Sequence, residues 1–227
     1  MIRFDRVSKR YEEGHDALRE ISFDIGSDEL VFLTGHSGAG KSTLLKLLML
    51  IERPTSGNLL INGKNLNRLP RAKVPFYRRQ VGVVFQNHQL LFDRSVFENV
   101  ALPLQVAGYS PADIGRRVRA ALDSVGLLDR EQENPIALSG GEQQRVGIAR
   151  AVVHKPKILL ADEPVASLDP VLAHSIMRIL KRLNREDGIS VICSLHFLDL
   201  VQQYADRAIA LNEGQLVFDG LPHEIDD

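Results

Sequence analysis

The chain has 227 residues, which is long enough for one large domain, or two small ones, with a sizeable buried core. Its composition, 44% hydrophobic and 25% charged, is ordinary for a soluble globular protein. Its net charge of −1 gives no overall field to recruit nucleic acid or an anionic membrane, which disfavours both classes of binding protein.

The hydropathy pattern disfavours membrane insertion and secretion. No apolar run approaches the roughly 20 residues of a membrane span, and the first residues lack the apolar region of a signal peptide. The single cysteine, Cys193, cannot form an internal disulfide and lies in an apolar run, so we expect a small core residue. We therefore expect a cytoplasmic protein that acts at a membrane only where a partner supplies the spans.

The first 34 residues predict β-structure. Apolar residues recur over residues 2–7 and alternate with polar ones over residues 21–25, as in strands with one buried face. A third apolar run, residues 30–33, leads into a glycine-rich stretch, and leucines at helical spacing follow that stretch. This order of strand, glycine-rich turn and helix is the context that a phosphate-binding P-loop needs.

The glycine-rich stretch has the residue types of a nucleotide-phosphate site. It consists of Gly35, His36, Ser37, Gly38, Ala39, Gly40, Lys41, Ser42 and Thr43. Glycines let the backbone curl so that successive N–H groups can face a polyphosphate, and the positive end of the following helix dipole adds to the attraction. In this pattern Lys41 reaches the β- and γ-phosphates, and the Ser42 hydroxyl binds Mg²⁺.

Further strands are predicted after the P-loop. Residues 59–61, followed by Asn62 and Gly63, indicate a strand that enters a tight hairpin. Residues 81–85 have the length and composition of a buried strand, and Gln86 follows them.

The character of the sequence changes near Gln86. Helical spacing dominates residues 95–126, where Ser110 is a typical helix start, and returns over residues 142–154. We therefore predict a helical subdomain at about residues 91–155.

An alternation of strands and helices resumes at residue 158. Residues 158–161 read as a buried strand, and Asp162 and Glu163 follow its apolar run. The alternation predicts a mostly parallel sheet whose ligand lies at the carboxyl ends of the strands. We predict one α/β domain, in which residues 1–90 and 156–227 form the core and a β subdomain.

A second glycine-rich turn lies in the helical segment, within residues 138–145, LSGGEQQR. It contains Ser139, Gly140, Gly141 and Glu142. Adjacent glycines at a helix start expose N–H groups, which suits an anion, while Ser139 and Glu142 have the spacing of a capping box. Both roles hold together, because a cap does not prevent a phosphate from binding.

The string LSGGEQQR resembles the signature motif of ABC-transporter ATPase domains. It lies between the P-loop and an apolar strand followed by two acids, as that family requires, and the resemblance covers essentially the whole chain. The resemblance implies a P-loop ATPase fold with an N-terminal antiparallel β subdomain and an inserted helical subdomain. It also implies hydrolysis of ATP with Mg²⁺.

The resemblance assigns roles to residues that follow the strands. Asp162 resembles the acid that holds Mg²⁺ through water, and Glu163 resembles the base that polarises the attacking water. Gln86 resembles the residue that touches Mg²⁺ and the lytic water and senses the transmembrane partner. His196 resembles the switch histidine at the γ-phosphate, and Tyr11 the aromatic residue that stacks on adenine. The catalytic residues expected are Glu163, His196, Gln86 and Lys41, and the expected Mg²⁺ site contains Ser42, Gln86 and Asp162.

The family also implies a homodimer that holds two ATP molecules between its subunits. Residues 139–142 of one subunit close over the γ-phosphate held by the P-loop of the other, and Asp169 lies at the dimer interface. ATP binding then drives closure, and hydrolysis with phosphate release permits opening.

Different parts of the chain resemble two different branches of the family. Residues 1 to about 164 resemble the ATPases that work in cell division, whereas residues 161–220 resemble the ATPases of phosphonate importers. A divergent natural sequence, a recombinant and a designed sequence are all compatible with this mosaic.

The family's docking surface for the integral membrane partner extends from Gln86 to Leu104, on the division-type side of the mosaic. We therefore predict a cell-division ATPase that controls septal peptidoglycan hydrolysis from the cytoplasmic face of the inner membrane. The alternatives are an importer ATPase and, more remotely, a soluble ABC ATPase that acts on nucleic acid, which the net charge of −1 disfavours.

Overall fold

The computed structural model describes residues 1–12 and 14–225. The strands are β1 (Ile2–Arg10), β2 (Asp16–Ile25), β3 (Leu30–Thr34), β4 (Ser56–Ile61), β5 (Lys64–Asn65), β6 (Val81–Val84), β7 (Ile158–Asp162), β8 (Ser190–Ser194), β9 (Arg207–Asn212) and β10 (Gln215–Gly220). The α-helices are α1 (Lys41–Leu48), α2 (Val74–Arg78), α3 (Val96–Ala107), α4 (Pro111–Ser124), α5 (Gly140–Val152), α6 (Pro170–Asp187) and α7 (Leu198–Tyr204). Short 3-10 helices lie at Leu66–Arg68, Arg71–Lys73, Leu128–Arg130, Pro135–Ala137 and Pro222–Glu224.

An antiparallel sheet in the order β2-β1-β4-β5 contains the two N-terminal strands. Phe4 pairs with Phe23 across β1 and β2, and their stacked rings are 4.6 Å apart between centroids. The hairpin between β4 and β5 turns through Asn62 and Gly63, both with positive φ, as a two-residue turn that matches the twist of its strands requires. The predicted antiparallel sheet and hairpin are confirmed.

The central sheet has the order β10-β9-β3-β8-β7-β6. Its strands from β9 to β6 are parallel, and β10 pairs antiparallel with β9 at one edge. The prediction of a mostly parallel sheet is therefore confirmed. The carboxyl ends of β3, β6, β7 and β8 meet at one edge, which carries the P-loop and the expected catalytic residues.

Two hydrophobic cores lie on opposite faces of the central sheet. Alternate residues of a strand point to opposite faces, so Phe32 and Cys193 belong to the core shared with α3–α7, whereas Val31 and Ile192 belong to the core shared with α1 and the antiparallel sheet. Cys193 is fully buried and has a free thiol, as predicted. Burial in this apolar setting raises the pKa of that thiol.

The helices of residues 91–155 begin at polar caps. Ser95 caps α3 in a capping box with Glu98, and Ser110 caps α4, which confirms the predicted start of that helix. Helix α5 begins at Gly140, two residues before the predicted start, because Ser139 is its N-cap. Within the described part of the chain, no helix is long and apolar enough to cross a membrane.

Candidate active site

The P-loop connects β3 to α1, and two of its glycines are required by the space around them. Gly35 has a φ of +133°, and a Cβ there would lie 2.1 Å from the carbonyl oxygen of Leu211. Gly40 has a φ of +111°, and its Cβ would lie 2.7 Å from the carbonyl oxygen of Ala17. Gly40 is also the N-cap of α1, and no side chain of the described residues caps this helix, which leaves its first N–H groups to a ligand.

Lys41 lies inside the curl of the P-loop and is only 5% exposed. Its Nζ donates hydrogen bonds to the carbonyl oxygens of Gly35 at 2.6 Å and His36 at 3.0 Å. Burial lowers the pKa of Lys41, and the carboxylates of Glu163 and Asp162 oppose that shift. The ammonium group therefore faces the loop that the sequence assigns to phosphates.

Asp162 and Ser194 end two neighbouring parallel strands and are paired across them. The Ser194 hydroxyl donates to Asp162 Oδ1 at 2.7 Å and accepts from the backbone N–H of Glu163 at 2.9 Å. Ser42 Oγ lies 3.4 Å from the same Asp162 oxygen. One serine thus positions both acids at the edge of the sheet, with the P-loop serine beside them.

Glu163 adopts a left-handed backbone conformation, with a φ of +47°, which is uncommon for a residue with a side chain. Its Oε1 lies 2.5 Å from Nε2 of His196, so the expected base and the expected switch histidine are in direct contact. Backbone strain of this kind is often retained at functional sites, where the surrounding structure enforces it.

A cavity of about 180 Å³ lies against the P-loop. It is lined by Tyr11, His15, Ala17, Ser37, Gly38, Gly40, Lys41, Ser42, Thr43 and Glu163. Tyr11 reaches the P-loop through its hydroxyl, 3.4 Å from Thr43 Oγ1, and Lys9 Nζ lies 4.9 Å from the centre of its ring. The structure therefore brings the predicted aromatic residue, the P-loop and the predicted base to one cavity.

Other predicted site residues do not line this cavity. Gln86 is exposed in a turn after β6, and Asp169 caps α6 by accepting from the N–H groups of Val171 and Leu172. Ser139 and Glu142 lie at the start of α5. The cavity of one chain therefore contains only part of the predicted site.

The turn at the start of α5 is a capping box, as its spacing predicted. The Glu142 carboxylate accepts from the backbone N–H of Ser139 at 2.8 Å and from its hydroxyl at 2.7 Å. These hydrogen bonds from Ser139 hold the pKa of Glu142 below its ordinary value. The phosphate-binding role of this turn remains a prediction.

Ser194 and His15 were missed by the sequence analysis. Ser194 ends a predicted strand, but its pairing with Asp162 depends on the order of β7 and β8 in the sheet, which the sequence does not show. His15 lies on the approach to β2 and lines the cavity only because the antiparallel sheet folds over the P-loop, and its local sequence carries no signal of that position.

The oxygen donors at the sheet edge suit a magnesium ion. Mg²⁺ prefers hard oxygen ligands and is usually held by one or two side chains together with water and substrate phosphates. The Ser42 hydroxyl and the Asp162 carboxylate are donors of this kind and lie together beside the P-loop. The residues present therefore fit the metal that an ATPase site requires.

Comparison with known proteins identifies the class. Residues 18–166 match the family model described as "ABC transporter". The chain belongs to the ABC transporter family, as its ATP-hydrolysing cassette, and the predicted ABC-type fold and ATPase activity are confirmed.

The chain is similar along its whole length to the cell division ATP-binding protein FtsE of Escherichia coli (strain K12). The two are 53% identical over 224 residues, which cover 99% of this chain and 100% of FtsE. The methionine import ATP-binding protein MetN of Cupriavidus pinatubonensis is 42% identical, and its match covers 97% of this chain but 65% of MetN. This pattern supports a cell-division ATPase and supports an importer ATPase less well.

A solved structure shows the same fold in a dimer. The ATP-binding cassette MJ0796, in a dimeric post-hydrolysis state bound to ADP and Pi, matches with a TM-score of 0.89 and 33% identity. The match covers 99% of this chain and 100% of MJ0796. Dimerisation is therefore a property of a cassette closely similar in fold.

Proposed function

We propose that this ATPase works as a homodimer with the membrane protein FtsX to control septal peptidoglycan hydrolysis in cell division. The observation that carries the proposal is the 53% identity to FtsE, which extends over 99% of the chain and so includes the C-terminal third. The proposal places the protein on the cytoplasmic face of the inner membrane, where FtsX supplies the spans.

Within one chain, the P-loop and Lys41 bind the phosphates of ATP. Backbone N–H groups of α1 and the Lys41 ammonium supply positive charge to them. Mg²⁺, when bound, neutralises charge on the β- and γ-phosphates. Ser42 and Asp162 would hold that ion, Asp162 through water, and Gln86 would join them. Tyr11, which lines the cavity, would stack on adenine.

Glu163 is the proposed general base. Its carboxylate lines the cavity that contains Lys41 and Ser42, and it contacts His196 at 2.5 Å. His196 orients that carboxylate and reaches toward the γ-phosphate. Ser194 positions both acids, because its hydroxyl donates to Asp162 and accepts from the backbone N–H of Glu163. The base is therefore held by the end of β8 and by the loop that follows it.

The site is completed by a second copy of the chain. Ser139, Gly140, Gly141 and Glu142 would close over the γ-phosphate of the partner's ATP, and Asp169 would lie at the interface. Support comes from the position of this turn outside the cavity of its own chain, and from the dimeric state of the MJ0796 cassette. ATP binding would close the dimer, and hydrolysis would allow it to open.

FtsX would dock on residues 86–104 and on the groove beside them. This groove has a volume of about 880 Å³ and is lined by residues of α2, β6, α3, α4 and α5. Leu102, Pro103 and Val106 of α3 give it an apolar wall, and Arg78 and Arg79 lie on the α2 side. Phe92, which lies within residues 86–104, is exposed and adds apolar surface to this segment. An apolar helix flanked by acidic residues on the partner would fit this surface.

The decisive experiment pairs capture with turnover. FtsX in lipid vesicles should retain the chain and raise its ATPase rate, and Lys41→Ala should lose turnover with and without FtsX. Parallel vesicles that contain a methionine-importer or phosphonate-importer permease provide the comparison. Stable capture by an importer permease and not by FtsX would overturn the division role.

An importer ATPase is the second candidate. The 42% identity to MetN and the resemblance of residues 161–220 to phosphonate-importer ATPases favour it. The same capture experiment separates the two, because each permease competes for one docking surface.

A further inference from the structure

Arg150 of α5 binds the segment that follows Gln86. Its two terminal nitrogens donate hydrogen bonds to the carbonyl oxygens of Gln89 at 2.7 Å and His88 at 2.5 Å. The Arg150 side chain is partly buried, and this burial lowers the pKa of its guanidinium. An arginine placed in this way holds two successive carbonyl groups with one planar group of donors.

A second contact joins the same segment to α5. Nδ1 of His88 is hydrogen-bonded to Oε1 of Gln144, a fully buried residue two turns before Arg150. Between these two residues of α5, a Cβ added at Gly147 would lie 4.0 Å from the carbonyl oxygen of His88. The helix therefore packs directly against this segment along two turns.

The backbone of the segment is itself strained. His88 has a φ of +51° and Gln89 a φ of +49°, so two successive residues with side chains are in the left-handed region. Such conformations persist where surrounding contacts enforce them. Arg150 and Gln144 provide contacts of this kind at the two strained residues.

The far end of the segment is attached to the helices as well. Asn99 of α3 is fully buried, accepts from the N–H of Leu91 at 2.8 Å and donates to its carbonyl oxygen at 2.9 Å. The near end belongs to the central sheet through β6, which ends at Val84. Gln86 therefore lies where the chain passes from the sheet to a segment held by α3 and α5.

We propose that Arg150, with the His88–Gln144 contact, is a positioning element that makes residues 86–91 move together with α5. Helix α5 begins with the turn at residues 139–142, about 15 Å from Arg150 at the rise of an α-helix. Closure of that turn over the partner's ATP would then set the position of Gln86 in its own chain. This consequence rests on the proposed homodimer, whereas the attachment itself does not.

Amide hydrogen exchange of the full chain without nucleotide tests the attachment. In Arg150→Gln, exchange should rise at least tenfold at residues 88–91 and stay unchanged at residues 139–145. Arg150→Lys, which keeps the charge and can reach one carbonyl, should give an intermediate result. Arg116→Gln, which removes an exposed arginine of α4, is the control and should match the parent.

Exchange with ATP in the Glu163→Gln background tests the coupling. In that background ATP should protect residues 86–91 and 139–145 together, and the added Arg150→Gln should leave protection at residues 139–145 only. Unchanged exchange at residues 88–91 without nucleotide overturns the attachment. Equal protection of both segments despite Arg150→Gln overturns the coupling. A third outcome separates the attachment from the homodimer. If Arg150→Gln raises exchange at residues 88–91 without nucleotide, but ATP does not protect residues 139–145 in Glu163→Gln with Arg150 intact, the attachment is supported. The homodimer is then overturned, and the coupling with it.

Discussion

Ser194 donates a 2.7 Å hydrogen bond to Asp162 across the ends of two parallel strands. The same hydroxyl accepts from the backbone N–H of Glu163. A single buried serine therefore positions the acid proposed to hold Mg²⁺ and the backbone of the proposed base.

Ser194→Ala should lower the ATPase rate roughly tenfold, because loss of a group that orients a metal ligand has effects of about 10- to 100-fold. The apparent affinity for Mg²⁺ should also fall, and a magnesium titration of phosphate release measures both. Ser190→Ala is a matched control in the same strand, since Ser190 accepts from the backbone of Asp28 at the opposite end of β8. An equal loss of rate in both variants would contradict the positioning role of Ser194.

Glu163→Gln should reduce turnover by at least about 100-fold while ATP binding persists, because a positioned general base contributes about 10²- to 10⁴-fold. The amide keeps the size of the carboxylate but has no basic oxygen. Phosphate release measures turnover, and gel filtration with ATP should show a stable dimer. Glu186→Gln, at an exposed position of α6, is the control. Parental turnover in Glu163→Gln would remove Glu163 from the role of base.

Gly35→Ala should destabilise the fold by more than about 3 kcal/mol, since a methyl group would lie in hard contact with backbone at an unfavourable φ. Its Cβ would be 2.1 Å from the carbonyl oxygen of Leu211. In Gly38→Ala nothing among the described residues lies within 4 Å of the new Cβ, so only the cost of a φ of +82° remains, about 1 kcal/mol. Urea unfolding compares the two variants, and equal losses would contradict the steric explanation.

His154→Phe should make stability less dependent on pH. Both ring nitrogens of His154 are buried, and within the described residues neither forms a hydrogen bond of good geometry, the backbone of Val81 offering only a weak polar contact. Burial lowers the pKa of His154, and the backbone of Val81 opposes that shift only in part. Below the ordinary pKa of about 6.5 the unfolded chain therefore binds a proton more readily than the folded one, and the parent loses stability as pH falls.

The free energy of unfolding of His154→Phe should consequently exceed that of the parent by roughly 1 kcal/mol at pH 5.5. This is the order of the cost of a buried polar group left without a partner. The gain should be smaller at pH 7.5. Denaturant unfolding at the two pH values measures it. His223→Gln, which removes an exposed histidine, should keep the parental pH dependence. A parallel shift of His154→Phe at both pH values would contradict the protonation argument.

Much of the fold follows from local patterns. Alternating residues predicted the N-terminal strands, Asn62 and Gly63 predicted the hairpin, and Ser110 marked the start of α4. These features depend on turn chemistry, capping and burial of one face, all of which act over a few neighbouring residues. The P-loop was predictable for the same reason.

Contacts between distant segments were not predictable in this way. Ser194 reaches Asp162 from 32 positions away, and Arg150 reaches His88 from 62 positions away. Neither residue lies in a distinctive local pattern, because its partner is chosen by strand order and helix packing. The family resemblance supplied the roles of Gln86 and His196, which their types and local sequences alone do not carry.

The burial of Cys193 makes the protein well suited to single-site spectroscopy. Its thiol is buried in the core and has a raised pKa, so it should not react with reagents that need an exposed thiolate. A cysteine introduced at Val171, which is 75% exposed at the start of α6, would then be the one reactive group in each chain. A homodimer would carry two identical probes, and their separation could be followed by fluorescence transfer as ATP is added and consumed.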